Sequence, residues 1–200
     1  MNINNRTQTI VGLGLLTAIV VVLQALTLSI PIGVFRITLV LIPIIVGAAL
    51  YGVLAGAWLG FVFSIVVLFT DAGMFLAVNI PGTIITVIAK GTLAGVAAGL
   101  VYKAIADKNK FVAVLVAGVV APVTNTGIFL IGCLLFFMDT INGWAQASGF
   151  DNAGAYMIFG LVGMNFVVEL IINLALSATA VHLISLGKKS GAGAGGNKLG

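Results

Sequence analysis

The chain has 200 residues, of which 61% are hydrophobic and 7% charged, with a mean hydropathy of +1.26 and a net charge of +4. A soluble domain carries about 25% charged residues, so this composition excludes a soluble enzyme and any separate nucleotide-binding or redox domain. It describes an all-α integral membrane protein of one domain, long enough for about six spans.

Residues 1–9 are a polar tail containing Arg6. The apolar run that follows is too long for a signal-peptide core, and no A-x-A cleavage site follows it. It is expected to form the first span, Ile10–Ser29, with Gly14 and Ala18 as a small-residue pair one turn apart. Pro31-Ile32-Gly33 breaks that helix. Between Arg36 and Asp71 lie 34 residues without a charge. That is too long for one span of about 20 residues. The stretch predicts two short helices in a hairpin, Thr38–Leu50 and Val53–Phe69, turning near Tyr51-Gly52. Its two charged ends then gather at one side of the membrane. Gly52, Gly56 and Gly60 recur every fourth residue, a spacing that lets helix backbones approach closely in lipid.

Residues 70–83 hold Gly, Asn and Pro and read as an ordered, irregular loop. The fourth span, Ile84–Tyr102, contains Lys90 and a second glycine run, Gly91, Gly95 and Gly99. A basic loop (103–110) leads to the fifth span, Val112–Phe137, which contains Pro122 and Asn125. Residues 139–154 read as a polar loop with Trp144. The sixth span, Tyr156–Leu186, carries Asn165, Glu169 and Asn173. The low-complexity tail, 188–200, is expected to be disordered. Seven of the nine cations (Arg6, Lys103, Lys108, Lys110, Lys188, Lys189 and Lys198) fall on one side of this six-span arrangement. The positive-inside rule makes that side, with both termini, cytoplasmic.

Ionisable side chains inside spans are costly and mark candidate sites. Here they are Lys90 and Glu169. They read either as an ion pair tying two helices together or as a pocket cation with its counter-ion. Arg36, on the outer side, is either an interfacial anchor or a guanidinium for a ligand carboxylate or phosphate. Asn79, Asn125, Asn165 and Asn173 read as buried or semi-buried amides, suited to helix–helix hydrogen bonds or to ligand contacts. Asn125 and Asn165 are the better ligand candidates by depth. Phe35, Phe75, Trp144 and Phe150 are aromatic residues near the outer surface that suit a pocket cap or an interfacial belt. His182 lies near the inner end of the last helix, and the lone cysteine, Cys133, reads as packing and permits no internal disulfide. No protease, hydrolase or P-loop motif is present, and no metal or cofactor is expected.

The run Ile37-Thr38-Leu39-Val40-Leu41-Ile42-Pro43, then Gly47-Ala48-Ala49-Leu50-Tyr51-Gly52 and Ala55-Gly56, resembles the substrate-binding S component of energy-coupling factor (ECF) transporters. The size, the six spans and the short loop after the first span match as well, over about residues 8–187. The resemblance implies a compact six-helix substrate-binding bundle over residues 10–187 in a prokaryotic plasma membrane, without catalysis of its own. It implies capture of a vitamin in an outward-facing cavity lidded by outer loops. It further implies docking on a transmembrane coupling protein with two ABC ATPases, and no nucleic-acid partner. Family members often dock through A-x-x-x-A on the first span; the matching positions here are Gly14 and Ala18. Substrate contacts are expected from Phe35, Arg36, Asn79, Lys90, Asn125, Trp144, Asn165 and Glu169. Arg36 and Lys90 favour an anionic ligand, such as a pantothenate-, folate- or lipoate-like acid, and the aromatic residues suit riboflavin instead. The competing readings are a proton-coupled secondary transporter using Glu169 and, with least support, an intramembrane enzyme.

Overall fold

The computed structural model describes residues 3–27 and 39–193, with the side chain of Asn165 among the few within helices that lie outside the description. Among the described residues every regular element is helical. The long helices are α1 (Ile3–Thr27), α3 (Val53–Thr70), α5 (Ile80–Ile105), α6 (Lys110–Phe136) and α9 (Gly163–Gly193). Shorter ones are α2 (Leu41–Tyr51), α4 (Gly73–Leu76), α7 (Met138–Ala147) and the single turn α8 (Ala153–Ala155), which runs into a π-helical segment, Tyr156–Val162.

Among the described residues four helices are long and apolar enough to cross a membrane, within α1, α3, α5 and α6. A fifth crossing results if the pair Ala153–Val162 and Phe166–Leu176, bent by 41°, counts as one span. The remaining expected span corresponds to α2. Its 11 residues reach about 16 Å, half of a bilayer core. It is instead the most enclosed helix: Leu41, Ile44 and Ile45 are buried, and it packs on α1, α3, α5, α6 and α9. Among the described residues its neighbours are other helices, so a half-length helix there is packed against protein.

The expected hairpin is present. Gly52 alone separates α2 from α3, with φ at +94°, a conformation that favours glycine. Ala48 then lies against Gly56 and Gly47 against Leu59. The two glycine runs turn out to face each other. A Cβ on Gly56 would stand 2.5 Å from the Gly95 carbonyl oxygen, and one on Gly91 would stand 2.6 Å from that of Gly60. α3 and α5 therefore run antiparallel along a seam too close for any side chain, the small-residue packing that lipid favours.

α5 and α6 also run antiparallel, Gly82 lying beside Phe136 and Thr86 beside Gly132. Asn79 caps α5: its Oδ1 accepts from Gly82 N at 3.0 Å, and Pro81 occupies the first turn, where a missing N–H costs nothing. Asn109 caps α6 in the same way, from Phe111 N at 3.0 Å and Val112 N at 3.1 Å. The segment read as a polar loop, 139–154, is largely the helix α7. Ile141 and Ala145, one turn apart, anchor its inner face. The last helix is described as far as Gly193, past the predicted domain end at Gly187.

Candidate functional site

A cavity of about 580 Å³ opens where α3 ends and α5 begins, lined from α1, α3, α4, α5, α6 and α9. Its size and its mixed lining suit a small molecule. The polar lining residues of α5 are Thr83, Thr86 and Lys90. Spacings of three and four residues put them on one helix face. α6 presents Asn125, Thr126 and Phe129 in the same manner, and the chain beyond α8 presents Val162, Phe166 and Glu169. Lys90 stands ten residues into α5, about 15 Å from its start. With Asn125 and Glu169 it makes the polar floor.

At the rim, Gln24 Nε2 donates to Asp71 Oδ2 at 2.7 Å, and Thr70 Oγ1 lies 3.0 Å from the same oxygen. Phe75, on the short helix α4, meets Phe129, Phe137 and Trp144 edge to face, with ring centroids 5.5, 5.1 and 5.5 Å apart. The Lys90 ammonium sits 5.2 Å over the Phe129 ring. Lys90 and Glu169 both line this floor, and among the described residues no ion pair joins them within 4.0 Å. Among the described residues, the lining atoms Gln24 Oε1, Thr86 Oγ1 and Asn125 Oδ1 are buried with no hydrogen-bond partner. Gln24 is only 2% exposed and Thr86 4%. Unmet polar atoms gathered in one cavity are unusual in a folded interior.

The structure places Lys90, Asn125 and Glu169 on the lining of one cavity. Trp144 stands behind Phe75 and off the lining. Asn79 borders a different groove, of about 620 Å³, between residues 76–81 and 134–140. Phe35, Arg36 and the side chain of Asn165 lie outside the described residues. Asn173 is buried in α9, its Nδ2 donating to the Glu169 carbonyl at 2.9 Å. Sequence reasoning passed over Gln24, Thr86, Phe129, Phe137 and Phe166. A usable signal was the 83–86–90 spacing, which places three polar residues on one face of a largely apolar helix.

A family model for the substrate-specific component of ECF transporters matches residues 8–185. The chain belongs to that family. No curated protein and no solved structure matches it. As an S component it is a substrate-binding transport subunit and not an enzyme, and its family works with an ATP-hydrolysing ECF module. The S component's Gly14 and Ala18 lie one turn apart on α1, both exposed, and a Cβ on Gly14 would meet nothing within 4 Å.

Proposed function

We propose that this S component captures a small water-soluble vitamin or related micronutrient from outside a prokaryotic cell. The plasma membrane holds it as a six-helix bundle with both termini inside, and the ligand enters the 580 Å³ cavity. A transmembrane coupling protein and two ABC ATPases then drive delivery. The observation that carries this reading is the cluster of Lys90, Asn125 and Glu169 on the floor of one cavity, in a chain whose sequence holds no protease, hydrolase or P-loop motif. Lys90, Asn125 and Glu169 contact the ligand, and Phe75 with Trp144 closes over it. Gly14 and Ala18 offer the coupling protein a flat docking surface, because small residues let a partner helix come close.

The test is uptake into liposomes by the chain alone and by the chain with its coupling protein and ATPases. The reading predicts uptake only with the complete module and ATP. Uptake by the chain alone, driven by a pH gradient and lost in Glu169→Gln, would replace it with a proton-coupled transporter. Gly14→Leu and Ala18→Leu should bind ligand normally yet abolish ATP-driven uptake; equal loss of both activities would mean a folding defect and remove the docking assignment.

A further inference from the structure

Building on the binding-subunit reading, we infer that the cavity selects a net-neutral, planar heterocycle that donates hydrogen bonds through ring or amino N–H groups, and discriminates against anions. Charge is the first argument. The expectation of an anionic ligand rests on Arg36 and Lys90. Arg36 lies outside the described residues, and Lys90 shares the floor with Glu169. The two floor charges cancel. A net charge on the ligand would leave one unit uncompensated in a poorly solvated interior, which is expensive. Asp71, the other charged group of the described lining, takes hydrogen bonds from Gln24 and Thr70 at the rim but keeps its negative charge, which repels an anion at the entrance.

Hydrogen bonding is the second argument. The bond from Gln24 Nε2 to the Asp71 carboxylate fixes which way that amide faces, so the unpaired atom is the oxygen. Asn125 Oδ1 is likewise an acceptor without a donor, and the Thr86 hydroxyl serves either way. With Glu169 added, the cavity wants donors, while Lys90 wants one acceptor. Lactam and aminopyrimidine edges carry N–H and C=O side by side and meet both needs. Ring shape is the third argument. Phe63, Phe75, Phe129, Phe137 and Phe166 all line the space, and aromatic walls hold a flat ring by offset or edge contacts.

The experiment uses the purified full-length chain in detergent and matched probes that share a ring and differ in charge. These are nicotinamide with nicotinate, riboflavin with its 5′-phosphate, and pterin with pterin-6-carboxylate. Isothermal titration gives each affinity. The inference expects a neutral member to bind at least tenfold tighter than its anionic partner, and Asn125→Leu to weaken that binding about tenfold while eluting as a folded monodisperse protein. Should Asn125→Leu not fold, Thr86→Val takes its place. An anionic member that binds as well as its neutral partner overturns the ligand class, yet leaves the binding-subunit reading standing. If no probe binds, the chain is denatured and what it releases is weighed. A neutral N–H heterocycle upholds the inference; a carboxylate, a phosphate, a cation or nothing at all overturns it. The binding-subunit reading itself fails separately, in the uptake assay.

Discussion

Replacing Thr86 with valine exchanges a hydroxyl for a methyl of similar size at a position 4% exposed. The Thr86 hydroxyl has no hydrogen-bond partner among the described residues. A buried polar group in that state costs about 1–3 kcal/mol, less where cavity water reaches it. The ligand-free variant should therefore be more stable than the parent by about 1 kcal/mol. For a chain of this length that raises Tm by about 2–4 °C. With ligand bound the sign reverses. One lost hydrogen bond of about 0.5–1.5 kcal/mol weakens affinity about two- to twelvefold. Thr92 supplies an internal control: its Oγ1 is also buried without a partner, but it lies off the cavity. Thr92→Val should raise Tm by a similar amount and leave affinity unchanged. Thermal unfolding in detergent gives the first quantity and titration calorimetry the second. A Thr86→Val protein with lowered ligand-free Tm, or with parental affinity, would refute the reasoning.

Three further outcomes follow from the packing. Gly95→Ala places a Cβ 2.6 Å from the Gly56 carbonyl carbon, which must push α3 and α5 apart and cost about 1–3 kcal/mol. Gly127→Ala meets nothing within 4 Å and should gain up to about 1 kcal/mol from helix propensity; opposite shifts in Tm check the pair. Lys90→Met or Glu169→Leu alone leaves one floor charge uncompensated, destabilising by up to about 3–5 kcal/mol, whereas the double replacement should recover much of the loss in a thermodynamic cycle. Phe75→Ala removes three edge-to-face contacts worth about 0.5–1.5 kcal/mol each, and should speed ligand release in stopped-flow fluorescence with little change in association.

Lys90 and Glu169 were readable in advance because an ionisable side chain within an apolar run has few reasons to be there, and both line the cavity. The hairpin turn at Gly52 was readable for a similar reason, since a long uncharged stretch must fold back. The glycine runs were visible as two separate patterns. Spacing along one helix says that something approaches closely but not what, so the mating of Gly56 with Gly95 and of Gly60 with Gly91 needed the fold. Gln24 and Thr86 escaped notice because a single amide or hydroxyl within a span usually bonds a neighbouring helix or its own backbone. Their significance lies in having a polar atom left over, which is a property of packing. Asn79 carried a clearer local signal than its reading as a buried amide used, for asparagine two residues before Pro81 is a helix start. The short helix α2 was expected, but its enclosure by other helices was not legible, because hydropathy reports burial, and a helix buried in protein is as apolar as one in lipid.

The most direct test of the central claim is an experimental structure of the S component loaded with its ligand. Density is expected inside the 580 Å³ cavity, with ligand N–H groups within hydrogen-bond distance of Asn125 and Thr86 and a ring among Phe75, Phe129 and Phe137. Ligand density in the groove between residues 76–81 and 134–140, with the floor around Lys90 and Glu169 left to solvent, would contradict it.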